Sequence, residues 1–175
     1  KQLVIAKQRL RSQVEQLFPE FSSVMKLDSD TARYLLSKYI TPQDFLNMNI
    51  FQELVALRKV SRNHHGIETL KALTEMAQKS IGIVLDEASY NAERITMNLW
   101  ITQIDLLKQQ MYSLLKQLVE LTEKTPYFKI LTSIKGVSDI TAARFIAENR
   151  ELLKNTHYKK IEAFAGTNLR ISQSG

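Results

Sequence analysis

The sequence predicts an all-α protein. Only 5 Gly and 3 Pro occur in 175 residues, and so few helix breakers argue for long helices and against a many-turned sandwich or barrel. Residues 83–124 contain neither Gly nor Pro, and their apolar residues recur in steps of three and four, which is the spacing of one helix face. The expected architecture is a region of short helices as a linker, then a long coiled-coil helix forming a hairpin or stalk, then a segment similar to a helix-hairpin-helix.

The composition excludes several classes of protein. The chain has no Cys, which rules out disulfide scaffolds, thiol catalysis and cysteine zinc sites. No run approaches the roughly 18 apolar residues of a membrane span, so no membrane partner is expected. The net charge is +6, and residues 125–175 hold 8 basic against 4 acidic side chains. This excess suits contact with phosphate, although solvated surface lysines would give the same count.

Residues 1–82 are predicted to form several short helices. Asp30 or Thr31 can cap one of them, and Thr41 can cap the next, with Pro42 at its first position. The first helix is expected over residues 1–17, with one apolar face formed by Leu3, Ala6, Leu10, Val14 and Leu17.

A basic segment closes one of these short helices. Arg58, Lys59 and Arg62 lie at its predicted C-terminal end, where positive charge suits the helix dipole. His64 and His65 follow as adjacent residues. Because metal ligands on one helix prefer a spacing of three or four residues, the pair is interpreted as helix-end residues and not as a metal site.

The long helix carries a heptad pattern that we call the heptad seam. A helix of 42 residues spans about 63 Å and cannot bury such a stripe against itself, so another helix must cover it. The shorter helices could cover part, and the remainder predicts a homodimer; an intrachain bundle without a dimer is the alternative. The heptad seam, and hence the predicted dimer interface, consists of Met97, Trp100, Ile104, Leu107, Met111, Leu114, Leu118 and Leu121.

Residues 131–146 are similar to a helix-hairpin-helix. Gly136 permits a turn with positive φ and a close approach of backbone to phosphate. The next helix is expected to present free N–H groups from about Val137 to Ile140, which grip a nucleic-acid backbone without reading bases, and Lys135 adds a cation. Many such hairpins have a second Gly where this chain has Ser138. A plain turn that packs two helices is the alternative. The predicted division of the chain is residues 1–82, 83–124 and 125–175, with a boundary at Thr125-Pro126.

The order of these pieces resembles the insertion-sequence-one-ten family of bacterial transposases, also called bridge-RNA-guided recombinases. No single motif is specific to the family, but the colinear set is. The matching stretches are Leu17–Phe21, Tyr39–Pro42, Ala77–Gly82, Ile134–Ala142, Ile146–Glu148, Tyr158–Gly166 and Gln173–Gly175.

The resemblance implies a DNA transposase or recombinase with a serine nucleophile. By motif Ser174 is the matching serine, and Ser172 is a second candidate. Family members also have an N-terminal RuvC-like domain with four acids that bind Mg²⁺. This domain would precede Lys1, so we expect a fragment that is inactive alone, lacks a cofactor of its own, and comes from a cytoplasmic bacterial protein. The implied partners are DNA and a guide RNA. The candidate nucleic-acid contacts are Lys135, Gly136, Val137, Ser138, Arg144, Lys159, Lys160 and Arg170.

Two other functions stay open on the sequence alone. One is a non-catalytic helix-hairpin-helix module that binds DNA and dimerises through a coiled coil. The other is a purely structural coiled-coil protein. DNA binding that falls steeply with salt would exclude the second of these alternatives.

Overall fold

A computed structural model describes residues 1–149, and every regular element in that range is a helix, which confirms the all-α prediction there. The described residues belong to two compact units, residues 1–109 and residues 110–149. The three-part division of the sequence stays a prediction. The helices are α1 (Gln2–Leu17), α2 (Phe21–Val24), α3 (Asp30–Leu36), α4 (Pro42–Leu46), α5 (Ile50–Val60), α6 (Ile67–Gln78), α7 (Glu87–Thr122), α8 (Pro126–Thr132) and α9 (Asp139–Glu148).

The long helix α7 is shorter at both ends than the predicted range 83–124. It begins at Glu87 because Asp86 caps it: the Asp86 carboxylate accepts a hydrogen bond from the N–H of Ser89 at 2.7 Å. It ends at Thr122, where the Thr125 N–H donates to the Thr122 carbonyl at 2.9 Å. The absence of Gly and Pro therefore indicated the helix but not its first turn.

The segment that links α6 to α7 is held by the first unit in a non-helical conformation. The Glu20 carboxylate accepts hydrogen bonds from the Ser80 hydroxyl at 2.5 Å and from the Ile81 N–H at 3.2 Å. Gly82 lies so close to the end of α1 that a Cβ there would be 2.2 Å from the carbonyl oxygen of Leu17. These tertiary contacts explain why the helix starts later than its local pattern suggested.

Three phenylalanines lie at the centre of the first unit. Phe18, Phe21 and Phe45 have no solvent exposure, and the ring centroids of Phe18 and Phe45 are 5.3 Å apart. The ring of Tyr39 lies 5.4 Å from that of Phe45. Helix α1 contributes the predicted apolar face, since Leu3 is partly buried and the others are fully buried: Ala6, Leu10, Val14 and Leu17.

The upstream half of the heptad seam belongs to this same core. Met97 is 0% and Ile104 is 1% exposed, while Trp100 and Leu107 pack against the core and are partly buried. The guanidinium of Arg9 lies 4.8 Å from the centroid of the Trp100 ring, in a cation–π contact. A side chain buried within its own chain cannot contact a second chain, so Met97 and Ile104 must be removed from the predicted dimer interface.

Helices α3 and α4 each begin with a hydrogen-bonded cap. Thr41 caps α4 as predicted: its hydroxyl and the Asp44 carboxylate accept from each other's backbone N–H at 3.4 and 3.0 Å. Helix α3 is capped by Ser29 and not by Asp30 or Thr31. The prediction of Asp30 or Thr31 was wrong because both already lie within the helix, whereas Ser29 has the extended backbone that a cap requires.

Glu53 of α5 is a buried carboxylate that connects α5 with α3 and the segment after it. It accepts hydrogen bonds from the hydroxyls of Tyr34 at 2.5 Å and Tyr39 at 2.8 Å, and from the ammonium of Lys38 at 3.1 Å. Burial alone would raise the pKa of Glu53, but these donors stabilise the charged form and lower that pKa below its ordinary value. Burial and the bond to Glu53 raise the pKa of Tyr39 to about 12.

The second unit, over its described residues 110–149, packs α8 and α9 against the end of α7. Its core is small because only four apolar side chains are fully buried there. These are Phe128, Ala142, Ala143 and Ile146, with Leu118, Val119, Leu131 and Val137 packed around them.

We expect Glu53→Gln to lower the free energy of unfolding by about 2 kcal/mol near pH 7, because three donors lose a charged acceptor. A carboxylate whose pKa is lowered by folding contributes stability above its unfolded pKa, near 4.5, and loses it as pH falls through the folded value. The difference between Glu53→Gln and wild type should therefore shrink in urea titrations below about pH 4. Glu75→Gln, on the exposed face of α6, is the matched control and should change little. An equal effect at pH 3 and pH 7 would contradict this account.

Candidate nucleic-acid interface

Helix α8 forms the first half of the candidate interface. Pro126 occupies its first position, as the sequence predicted, where a missing N–H costs nothing. Phe128 points into the core of the second unit, whereas Ile130 is 62% exposed. A helix of seven residues is too short to be stable alone, so α8 depends on this packing.

A tight turn follows α8. The N–H of Val137 donates to the carbonyl of Ile134 at 3.0 Å, and Gly136, the third residue of the turn, has φ +94°. In a type II turn the carbonyl of the first residue accepts from the N–H of the fourth, and only the third residue has positive φ. Gly is favoured at that third position. The predicted positive φ of Gly136 is thereby confirmed.

Ser138 caps α9 and explains why no second Gly is needed in the hairpin. Its backbone is extended, with φ −81° and ψ 163°, a conformation open to any residue. Its hydroxyl accepts a hydrogen bond from the N–H of Thr141 at 3.3 Å. A glycine at this position would lose that cap.

The turn and the cap leave three consecutive N–H groups without a partner among the described residues: those of Ser138, Asp139 and Ile140. The sequence placed the free groups from about Val137, but the N–H of Val137 closes the turn. The signal for this correction was present, since a Gly at the third position of a turn implies that the fourth residue donates. Three such groups at a helix start form a site for an anion such as phosphate.

Some charged side chains around the hairpin attract phosphate and others repel it. Lys135 and Arg144 are exposed, so both can contact an external anion. Asp139, also exposed, lies at the first position of α9, where it stabilises the helix dipole but repels phosphate. The described residues 110–149 hold five basic and four acidic side chains. Any attraction of phosphate therefore depends on where the individual charges lie and not on the net charge of these residues.

The downstream half of the heptad seam lies in the second unit and is mostly exposed. Met111, Leu114 and Leu121 are 44%, 66% and 66% exposed, while Leu118 packs partly against the small core. These three side chains remain available to a second chain. The dimer itself stays a prediction.

Several predicted site residues lie outside the described residues, so the structure does not place them. They are Lys159, Lys160, Arg170, Ser172 and Ser174.

Two kinds of feature are absent from residues 1–149. No group of three or more His, Asp or Glu side chains there is arranged to hold a metal ion. No helix in this range combines the length and the apolar character needed to span a bilayer.

Residues 128–175, about a quarter of the chain, match the model of the Transposase IS116/IS110/IS902 family. The matched segment begins within α8 and includes the turn at Gly136, the Ser138 cap and all of α9. No curated protein and no solved structure matches the chain. The resemblance to transposases is therefore supported independently for the segment that carries the hairpin.

We expect Gly136→Ala to destabilise the second unit by about 1 kcal/mol, because a Cβ is strained at φ +94° although the surrounding space is open. Gly66→Ala is the matched control, since its φ of −132° is open to any residue and a Cβ there meets nothing within 4 Å. Thermal unfolding followed by circular dichroism measures both variants. Equal melting temperatures for the two would show that the turn differs from the one described.

Proposed function

We propose that the chain acts as part of a DNA transposase or recombinase of an insertion sequence. Within it, the α8–α9 hairpin binds the nucleic-acid backbone and α7 dimerises the protein. One observation carries the proposal: the segment that matches a transposase family model contains a turn and cap that leave free N–H groups beside a cation.

Binding through the hairpin would be independent of base sequence. The N–H groups of Ser138, Asp139 and Ile140 suit one phosphate oxygen or two, and Gly136 lets the phosphate approach the backbone closely. Lys135 adds charge next to the turn. Such contacts position a protein on DNA, while the choice of target must come from elsewhere. A guide RNA, which the family resemblance implies, is the partner proposed for that choice.

The proposed chemistry belongs to residues beyond the hairpin. The Ser174 hydroxyl is the proposed nucleophile: it gives up its proton as its oxygen bonds to phosphorus, and the bridging oxygen of the phosphodiester leaves and takes up a proton. The product is a covalent enzyme–DNA intermediate. A serine hydroxyl is weak at neutral pH and needs activation. The four acids and Mg²⁺ implied by the resemblance would supply it in a complete cytoplasmic enzyme, and residues 1–175 alone are proposed to be inactive.

We expect Lys135→Glu to weaken binding to a short DNA duplex roughly threefold to tenfold. The slope of log Kd against the logarithm of salt concentration should fall by about one. The physical reason is the loss of one phosphate contact and the gain of a repulsive charge beside the free N–H groups. Fluorescence anisotropy over a range of salt concentrations measures both quantities.

Lys26→Glu is the matched control for this experiment. Lys26 is exposed, forms no ion pair among the described residues, and lies in the first unit, so its reversal changes the net charge equally. Equal weakening by Lys26→Glu and Lys135→Glu would assign the effect to overall charge. No binding to DNA by the wild-type chain would remove the proposed function.

The dimer proposal concerns the exposed residues of the seam. We expect the chain to be a dimer at micromolar concentration and Leu114→Glu with Leu121→Glu to make it monomeric, since charge would enter the apolar contact. Light scattering measures the mass. The control is Gln110→Glu with Gln117→Glu, exposed on α7 outside the seam, which should remain dimeric. A wild-type monomer would remove the dimer from the proposal.

A further inference from the structure

A concentration of unpaired positive charge lies in the first unit, outside the segment that matches the transposase model. We call residues 58–65, at the end of α5 and after it, the basic loop. Arg58, Lys59 and Arg62 are exposed, and none forms an ion pair or a side-chain hydrogen bond among the described residues. The basic loop contains no acidic residue.

Five other cations of the first unit form ion pairs. Arg33 is buried and bonds Asp30 and Asp105, and the ammonium of Lys38 bonds Glu53. The remaining examples are Lys7 with Asp28, Lys71 with Glu68 and Lys108 with Asp30. Other cations of this unit also lack an ion pair, but Arg58, Lys59 and Arg62 bring three of them within five residues.

The end of α5 does not need these charges for its own carbonyl groups. The N–H of Asn63 donates to the Arg58 carbonyl at 2.9 Å and the N–H of Arg62 to the Lys59 carbonyl at 3.4 Å, which together form a Schellman motif. The N–H of Ser61 donates to the Leu57 carbonyl. Because the last carbonyl groups already have partners, neutralising the helix terminus is a weak reason for three cations.

The backbone of the basic loop is strained at a charged residue. Arg62 has φ 52° and Asn63 has φ 64°, both in the left-handed region, and Arg62 holds the position where a Schellman motif usually has Gly. Ser61, buried beneath them, fixes the loop: its hydroxyl accepts from the N–H of His65 at 3.2 Å. Arginine occupies this position at a conformational cost, although its side chain has no partner among the described residues.

We propose that the basic loop is a second nucleic-acid contact, which binds the phosphodiester backbone through Arg58, Lys59 and Arg62. Its exposed groups are hydrogen-bond donors and cations, which suit phosphate oxygens. An acidic protein segment would also suit cations. The nucleic acid is favoured because the chain carries a net charge of +6 and a segment matching a transposase model, so this inference rests on the proposed function.

The first test removes the three charges together. Arg58→Gln with Lys59→Gln and Arg62→Gln should reduce the salt dependence of log Kd for duplex nucleic acid by about three and weaken binding roughly tenfold or more. The matched control is Arg11→Gln with Lys26→Gln and Lys79→Gln, three exposed cations of the same unit that form no ion pair among the described residues. Duplex DNA and duplex RNA are titrated separately. Weaker binding of the triple variant to either duplex supports the proposal and shows which nucleic acid the basic loop contacts.

A second test separates binding from folding. Arg62→Gly relieves the left-handed strain and removes one charge, so it should raise Tm by about 2–4 °C and reduce the salt slope by about one. Asn63→Gly relieves strain without changing charge, and should raise Tm and leave binding unchanged. A more stable variant that binds less well cannot owe the loss to misfolding.

The outcomes distinguish this inference from the proposed function. Unchanged binding by the triple variant, with weakening by Lys135→Glu, would overturn the basic loop and leave the hairpin in place. Equal weakening by the control triple would also overturn it. So would loss of binding to a polyglutamate peptide without loss on either duplex, which would indicate an acidic protein partner. Absence of nucleic-acid binding by the wild-type chain would remove the proposed function as well.

Discussion

The burial of the first half of the heptad seam is the interaction on which the rest of the interpretation depends. Met97 and Ile104 are removed from water by helices of their own chain, and each such burial contributes about 1.5–3 kcal/mol. Because this half is buried within its own chain, the exposed part of the seam is limited to Met111, Leu114 and Leu121. That is less than the three or four heptads of a strong coiled coil, so any dimer formed there depends on a short contact.

The proposed binding site of the hairpin consists of N–H groups whose hydrogen bonds are left unmade. The turn uses the N–H of Val137 and the cap uses that of Thr141, which leaves the three groups between them free. Gly136 and Ser138 thus have separate roles, one in permitting the turn and one in starting the helix. Asp139 limits the site, because its carboxylate stabilises α9 while it opposes an approaching phosphate.

The sequence predicted features that depend on local chemistry and failed where distant residues decide. The all-α class, the Thr41 cap and the positive φ of Gly136 follow from neighbouring residues, and the structure confirms them. The start of α7 does not, because Glu20 and the carbonyl of Leu17 hold the preceding segment from more than 60 residues away. The sequence also could not predict the hydrogen bonds of the buried Glu53, since its partners meet only when α3 packs against α5. The heptad pattern was periodic throughout and could not show which half the chain covers itself.

Two turns within residues 1–149 contain a residue with positive φ, and the conformational cost differs between them. Glycine adopts the positive φ of Gly136 without strain, so the turn needs no functional explanation. The proposed site consists of the N–H groups that follow it. At Arg62 the residue opposes the geometry, although a glycine would satisfy the same Schellman hydrogen bonds. Folding alone therefore accounts for the first turn and not for the second. What distinguishes arginine from glycine at that position is its guanidinium, which is carried by a loop whose backbone is hydrogen-bonded to the Ser61 hydroxyl.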